Sequence, residues 1–310
     1  MLTYIISTMG LRGVMLVFAA CSLWVTNLAA QELTPRIYWP SPKGTNVFVT
    51  GYSYLEGGVL VDRSLPISGV DSSINTGILA YMRTLGLWGR STNLLVELPY
   101  NWGTTKGFVN DMPAQRDFSG AGDLGVTLTV NLLGAPSMTL EDFLKLRANP
   151  HPILGASLKV LAPTGQYDKS RLINNGANRW AVRAQLGAIL PLRPSWLLEL
   201  SASGWFCGND DQFIGGNRQQ APIYAAQMNL IKRLRPGFWV SLDVSAFKGG
   251  RQTIEGNRLD DVQQNMKIGG PLVVPFRRRH AIKFGYANGA VTRYGTDFNQ
   301  FLLSYNVVIN

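Results

Sequence analysis

The chain has 310 residues, of which 46% are hydrophobic and 15% are charged, and its net charge is +10. Its two cysteines, Cys21 and Cys207, exclude a disulfide framework and a thiolate metal cluster, because Cys21 lies in an N-terminal segment that we expect to be removed. The positive charge does not indicate a nucleic-acid partner, since the chain has no basic-aromatic recognition motif and carries an export signal.

That export signal is the first element of the chain. Arg12 precedes an apolar run over 14–25, and small residues follow up to Ala30. The pattern predicts a signal peptide over 1–30, cleaved after Ala30, and a single mature domain over 31–310. The apolar run is shorter than the roughly 20 residues that a spanning helix needs, which makes an uncleaved anchor the weaker alternative. No later stretch is long and apolar enough to predict a spanning helix.

From about residue 45 onward, apolar and polar residues alternate with the period of a β-strand. Leu124, Val126 and Leu128 would share one face of a strand, while Thr127 and Thr129 would share the other. The pattern predicts about twelve strands, near 45–55, 74–84, 92–101, 122–133, 152–162, 179–191, 196–207, 221–233, 238–248, 261–273, 279–287 and 298–309.

The predicted connections between these strands alternate in length. Short turns are expected at 192–195, 234–237 and 275–279. Long glycine-rich loops are expected at 102–121, 163–178, 208–220, 249–260 and 288–297. The connection over 134–151 contains TLEDFLKLR, which favours a small amphipathic helix on the short-turn side. An even strand number with long and short connections on opposite sides predicts an all-β fold, a transmembrane antiparallel β-barrel of the outer-membrane type.

A soluble β-sandwich is the alternative fold, because it also has one apolar and one polar face on each strand. The export signal, the lack of a disulfide and the tryptophans near predicted strand ends favour the barrel, since aromatic residues form girdles at membrane interfaces. These tryptophans are Trp88, Trp102, Trp180, Trp196, Trp205 and Trp239. The predicted location is the outer membrane of a Gram-negative bacterium, with membrane lipid and the outer-membrane assembly machinery as partners.

Seven short segments of the chain are distinctive. They are PRIYWPSPKGTN (35–46), AYMRTLGLWG (80–89), NLLGAP (131–136), ASLKVLAPTGQYD (156–168), RLINNGANRW (171–180), FKGGRQT (247–253) and VTRYGTDF (291–298). Together they resemble an outer-membrane transporter-like family named for a meta pathway of phenol degradation. The resemblance covers nearly the whole mature chain. It implies an outer-membrane barrel that is linked by name to aromatic catabolism, without fixing a substrate.

The segment 162–178, APTGQYDKSRLINNGAN, contains a Lys-Ser pair like that of a phosphate-binding loop. The two glycine positions of that motif hold Pro163 and Asp168, and a strand pattern follows where the motif requires a helix. Nucleotide binding is therefore not expected. The segment is instead predicted to be a long outer loop that carries Tyr167, Asp168, Lys169 and Arg171. The last three of these residues are expected to face the pore mouth or its neighbours.

Catalysis would require a general base, and the only histidines are His151 and His280. Both are predicted at the starts of strands on the short-turn side, away from external substrates. No histidine-carboxylate spacing indicates a metal site. The sequence therefore predicts neither an enzyme nor a bound cofactor.

Charged residues within the strands are predicted to point into the barrel, because Arg or Lys facing lipid at the midplane would cost roughly 2–4 kcal/mol. The predicted pore-lining residues are Arg83, Glu97, Asp123, Lys159, Arg183, Glu199, Asp243, Lys267 and Lys283. They could form a paired network that stabilises a narrow barrel, a constriction that selects solutes, or both.

Other basic residues are predicted to gather on the short-turn side, where phospholipid headgroups are a suitable partner. These are Arg90, Arg193, Arg233, Arg235, Arg277, Arg278 and Arg279. The predicted function is an outer-membrane channel or uptake protein for small organic solutes, aromatic compounds among them, by passive diffusion. The alternatives are a closed structural or binding barrel whose outer loops contact a partner, and an outer-membrane hydrolase.

Overall fold

The computed structural model describes residues 33–60, 67–171, 173–213, 216–277 and 279–309. The predicted signal peptide and Arg278 lie outside these residues. Within them, no helix has the length and apolar character needed to cross a membrane.

The described part of the chain contains one α-helix, α1, over Leu140–Ala148. Its β-strands are β1 Asn46–Leu60, β2 Ile67–Leu85, β3 Thr92–Val109, β4 Met112–Ala121, β5 Leu124–Leu133, β6 Ile153–Ala162, β7 Ala181–Arg193, β8 Trp196–Cys207, β9 Asp210–Phe213, β10 Gly216–Gln220, β11 Ile223–Arg235, β12 Phe238–Gly249, β13 Gln252–Ile254, β14 Asn257–Arg258, β15 Gln263–Arg277, β16 His280–Val291 and β17 Gly295–Val308.

These strands form a closed antiparallel barrel. Neighbouring strands pair around the ring, and β1 pairs with β17 to close it. The position beside β3 is shared, because β5 pairs with residues 92–97 of β3 and β4 pairs with residues 100–109. Counting β4 and β5 as one position gives twelve strands around the barrel, which confirms the prediction.

The two faces of the strands differ in the way that a membrane barrel requires. Thr127 and Thr129 are each only 4% exposed, whereas Leu186 is 59% exposed and Leu242 is 54% exposed. Polar side chains thus face the interior and apolar side chains face outward, the opposite of a soluble protein. This inversion excludes the β-sandwich and identifies the fold as an outer-membrane-type barrel.

The connections define two ends of the barrel. At the short-turn end, only residues 194–195 separate β7 from β8, and only residues 236–237 separate β11 from β12. Helix α1 lies in the one long connection at this end, as predicted. Thr139 caps the helix by accepting a hydrogen bond from the Asp142 backbone N–H, while the Asp142 carboxylate accepts one from the Thr139 backbone N–H.

The prediction of a loop over 102–121 was wrong. This segment is a hairpin, in which β3 and β4 extend the barrel wall at the long-loop end and turn at Asn110 and Asp111. Both turn residues have positive φ, which Asn and Asp tolerate well. The loops predicted over 208–220 and 249–260 also contain strands, because β9, β10, β13 and β14 form a separate four-stranded sheet at this end.

The tryptophans do not all lie in interfacial girdles. Trp88 and Trp180 are largely exposed, but Trp205 is buried on the inward face and Trp239 packs against a buried cluster inside the short-turn end. Trp102 lies inside the extended β3 and not at its end. The aromatic pattern that favoured a barrel therefore has two origins, one outside the wall and one within it.

Candidate functional site

The inner wall of the barrel carries paired charges. Lys159 of β6 is almost fully buried and forms an ion pair with Glu97 of β3. Gly125 of β5 gives the Glu97 side chain room, because a Cβ atom at Gly125 would contact the Glu97 carboxylate at 2.7 Å. A glycine opposite the glutamate thus lets the carboxylate reach across β5 to the lysine.

A second set of charged side chains lies farther round the barrel wall. Glu199 of β8 and Asp243 of β12 are both buried on the inward face. The Asn229 amide nitrogen, when turned toward Asp243, lies 3.2 Å from Asp243 Oδ1. Glu199 Oε2 accepts a 2.6 Å hydrogen bond from the backbone N–H of Arg36, a residue that precedes the first strand. The wall therefore also binds a segment that lies inside the lumen.

Three further predicted wall cations, Arg183, Lys267 and Lys283, also face inward. The Arg183 guanidinium lies 5.4 Å from the centroid of the Trp205 ring. Lys267 Nζ donates a 2.9 Å hydrogen bond to Gln300 Oε1. Lys283 is half-buried on the same face of β16 as the buried Ala287. The inward faces thus bring together cations and anions from strands that are distant in sequence.

Two predicted pore-lining residues have other positions. Arg83 is exposed on the outward face of β2, which it shares with Leu79 and Tyr81. It lies near the short-turn end, where a long side chain can reach the membrane surface, so the midplane cost that motivated the prediction does not apply. Asp123 lies in the break between β4 and β5, and therefore is not a strand residue.

Asp123 instead holds the outer loop. Its Oδ1 accepts a 2.9 Å hydrogen bond from the Gly165 N–H, and its Oδ2 accepts a 2.8 Å bond from the Ala177 N–H. Burial raises the pKa of Asp123, and these backbone hydrogen bonds oppose that rise. One carboxylate thus ties both ends of the 163–178 loop to the barrel wall.

The four predicted outer-loop residues have distinct environments. Tyr167 donates a 2.9 Å hydrogen bond to Asp210 Oδ2, and burial together with this bond raises the pKa of Tyr167. Asp168 forms an ion pair with Arg171 at 2.7 Å, whereas Lys169 is exposed. Hydrogen bonds from the Ser170 hydroxyl and backbone N–H lower the pKa of Asp168.

Asp210 connects this loop to the outer sheet. It is fully buried and also accepts a 2.9 Å hydrogen bond from Asn178 Nδ2. Arg218 Nη2 of β10 lies 3.4 Å from Asp210 Oδ2, and burial lowers the pKa of Arg218 to about 9. The long-loop end is therefore a hydrogen-bonded assembly of several loops.

The lumen at the short-turn end contains residues 33–45, which we call the lumen plug. Tyr38 is fully buried and packs with the inward side chains of Ile153, Ile189 and Leu197. Its ring lies against Gly155 and Gly187, which are paired across β6 and β7. A Cβ atom at either glycine would collide with that ring. Sequence reasoning missed the plug, because the segment precedes the first alternating strand.

The short-turn end also carries several of the predicted arginines. Arg90, Arg193 and Arg235 are exposed there, and Arg233 lies on the inward side of β11. His151 is exposed before β6, and His280 begins β16, as predicted. His280 Nδ1 lies 2.6 Å from the Tyr305 hydroxyl, and the two rings stack. Within the described residues, no group of three or more His, Cys, Asp or Glu side chains is placed to hold a metal ion.

The solved structures that are similar to this fold include two bacterial proteins. An outer membrane channel from Pseudomonas putida F1 has a TM-score of 0.74 and 22% sequence identity, and the match covers 90% of this chain and 100% of that one. The beta domain of the Bordetella autotransporter BrkA has a TM-score of 0.51 and 11% identity, over 86% of this chain and 100% of that domain. These identities establish the shared barrel fold alone.

Sequence comparison gives the family. No curated protein sequence matches the chain. A family model described as "Putative MetA-pathway of phenol degradation" matches residues 49–301, which extend from β1 into β17 and include every described barrel strand between them. The chain therefore belongs to this phenol-degradation pathway family.

Proposed function

We propose that this protein is an outer-membrane channel through which small organic solutes, aromatic compounds among them, diffuse passively. The observation that carries this proposal is the inward face of the barrel, where charged and amide side chains line the wall in place of an apolar core. The similar fold of a bacterial outer membrane channel and the family name support it.

The lumen is expected to select solutes by charge and by width. Charged rings set selectivity in other pores, and this wall carries both signs. The lumen plug narrows the short-turn end, and the loop over 163–178 narrows the long-loop end. In the usual orientation of outer-membrane barrels, short turns face the periplasm and long loops face the outside.

Planar-bilayer conductance and liposome swelling test the proposal. Purified protein should conduct ions and admit small aromatic acids faster than sugars of similar size. Replacing Arg183 with Ala removes an inward cation, so it should slow the aromatic acids more than the sugars. Folded protein with no conductance and no swelling would contradict the channel function.

A closed structural or binding barrel is the second candidate, and the lumen plug favours it. Tyr38 and its partners form a packed apolar cluster across the short-turn end. A closed barrel should give no conductance in the wild type. After residues 33–43 are deleted, it should still admit no organic solutes. An open channel should conduct in both forms and conduct more after the deletion.

The export route belongs to the same proposal. We infer that residues 1–30 are a signal peptide and that residues 31–310 form one domain inserted by the outer-membrane assembly machinery. N-terminal sequencing of protein purified from outer membranes should begin at Gln31. A sequence that began at Met1 would contradict cleavage. The proposed channel involves no enzymatic step.

A further inference from the structure

A basic pocket lies at the short-turn end, beside the lumen plug. A cavity of about 210 Å³ is lined by residues of the plug, of helix α1 and of the β11–β12 hairpin, including Arg36, Trp39, Phe143, Arg147, Arg233 and Trp239. An adjoining cavity of about 450 Å³ shares Arg147 and Arg233 with it. The pocket therefore lies at the mouth through which a solute would enter or leave the lumen.

Four arginines line this basic pocket. Arg235 is exposed, whereas Arg36, Arg147 and Arg233 lie deeper in it. The Arg36 guanidinium lies 5.0 Å from the centroid of the Trp39 ring and 4.9 Å from that of Trp239. The Arg233 guanidinium lies 5.5 Å from the centroid of Trp39. Arg233 Nη2 donates a 2.6 Å hydrogen bond to the backbone oxygen of Arg147, which joins β11 to helix α1. The cations are thus held by stacking and by a backbone contact.

Each of the three deeper guanidinium groups keeps a donor that the protein does not use. Arg36 Nε, Arg147 Nη2 and Arg233 Nη1 are buried and have no hydrogen-bond partner among the described residues. A buried charged donor without an acceptor is strongly unfavourable, so a native structure normally provides a partner for it. Three such donors in one pocket fit an acceptor with several oxygen atoms.

The local electrostatics also favour an anion. Burial lowers the pKa of Arg36 to about 10; Glu199 opposes this, whereas the Arg233 and Arg147 charges add to it. The Glu199 carboxylate already accepts a hydrogen bond from the backbone N–H of Arg36. Burial lowers the pKa of Arg147 as well. An added negative charge would relieve the mutual repulsion of the arginines.

We propose that the basic pocket binds one small aromatic carboxylate, with the carboxylate on Arg147 and Arg233 and the ring against Phe143 and Trp239. Guanidinium groups suit planar carboxylates, because they can donate two parallel hydrogen bonds. A cavity of about 150 Å³ is enough to hold benzene, so the volume here accommodates a benzoate-sized anion. The inference deepens the proposed function, since it adds a solute-binding site at one end of the channel.

Isothermal titration of benzoate into the folded, detergent-solubilised full chain tests the site. We expect saturable binding with one site per chain. Arg147→Gln and Arg233→Gln should each raise the Kd about tenfold, because each removes a charge-assisted hydrogen bond. Arg193→Gln is the matched control, since Arg193 is exposed at the same end and does not line the pocket. Its Kd should stay within about twofold of the wild type.

Titrations with other ligands separate the contribution of the negative charge from that of the aromatic ring. Benzyl alcohol should bind at least about tenfold more weakly than benzoate, because it lacks the anion. Inorganic phosphate and a short-chain phosphatidylglycerol test a phosphate group as the occupant. If either compound binds the pocket with a lower Kd than benzoate does, as measured by competition, the assignment of the site to a carboxylate is wrong. Equal weakening in Arg193→Gln and Arg147→Gln would also overturn the proposal.

Folding and channel function are checked separately. Heat-modifiable migration in gel electrophoresis establishes that each variant is a folded barrel. A variant that fails this check is replaced by Arg147→Lys, because lysine keeps the positive charge but lacks the paired donors of a guanidinium group. We expect Arg147→Lys to weaken benzoate binding as well, and binding unchanged from the wild type would contradict the pocket. Absence of bilayer conductance would contradict the channel function, whereas the benzoate titration would still show whether the pocket binds the anion.

Discussion

Single residues decide how the lumen is filled. Gly155 and Gly187 face each other across β6 and β7, and together they leave the space that the Tyr38 ring occupies. A glycine in a strand ordinarily weakens it, and one use of such a glycine is the close approach of another group. These two glycines therefore belong to the plug site even though they lie in the barrel wall.

Gly187→Val should displace the lumen plug. The valine side chain would occupy the position of the Tyr38 ring, so we expect the barrel to fold and bilayer conductance to rise severalfold. Ala184→Val is the matched control, because Ala184 is exposed on the outward face of the same strand. Equal conductance in the two variants would show that Tyr38 does not limit ion flow.

Glu97→Gln should destabilise the barrel. The substitution removes the carboxylate that Lys159 contacts inside the wall, and breaking a buried ion pair costs about 3 kcal/mol in the free energy of unfolding. Urea unfolding in lipid vesicles measures this change. Glu56→Gln makes the same chemical change at an exposed position and should cost less than about 0.5 kcal/mol. Similar losses in both variants would argue against the ion pair.

At the scale of elements, two aspartates connect the outer loop to its surroundings. The 163–178 loop depends on Asp123 at both of its ends and on Asp210 through Tyr167. Ligand-facing loops can open locally at a lower free energy than global unfolding. The loop can therefore be released while the strands remain paired.

Asp123→Ala should loosen this loop. Loss of the two hydrogen bonds from Gly165 and Ala177 should make trypsin cleave after Lys169 and Arg171 roughly tenfold faster, an effect of about 1.4 kcal/mol on loop opening. Proteoliposomes and mass spectrometry of the fragments measure the cleavage. Asp117→Ala removes an exposed carboxylate of β4 and should leave the rate unchanged. Equal rates would contradict the anchoring role.

The strands could be predicted where the two faces meet different surroundings. Residues 124–132 alternate because one face contacts lipid and the other contacts the lumen. The 102–121 hairpin escaped prediction because polar and apolar residues are mixed on its faces, so regular alternation is lost there. The lumen plug has no period at all, and its burial depends on Gly155 and Gly187, which lie far along the chain.

The inward charges were predictable within strands, since a lipid-facing cation is costly, but this argument fails at strand ends and breaks. Arg83 near the short-turn end and Asp123 between two strands show that limit. The basic pocket was also beyond sequence reasoning. Its arginines come from the plug, from α1 and from β11, and only the closed barrel brings them together.

For the whole molecule, the balance of wall charges favours anions. Lys159, Arg183, Lys267 and Lys283 face Glu97, Glu199 and Asp243, which leaves four cations against three carboxylates. Arg36 and Arg233 add positive charge at the short-turn end. Pores lined by an excess of basic residues favour anions.

We expect chloride to permeate faster than potassium. The reversal potential across a bilayer with a tenfold KCl gradient measures this preference. Lys267→Glu combined with Lys283→Glu should abolish or reverse it, since the pair changes the wall charge by four units. Lys248→Glu is the control, because Lys248 is exposed on the outward face of β12. A reversal potential that stayed the same in the double variant would locate selectivity elsewhere.

The lumen plug also constrains the order of folding. It is joined directly to β1, and β1 forms the seam of the barrel with β17, which lies at the far end of the described chain. Tyr38 packs on β6 and β7, on another part of the ring. Before the seam closes, the plug can dock on these strands from the open side, and a docked plug holds the start of β1 near the part of the ring that β6 and β7 form. The segment that narrows the finished lumen is thus also positioned to act earlier, as an internal template on which the barrel wall closes.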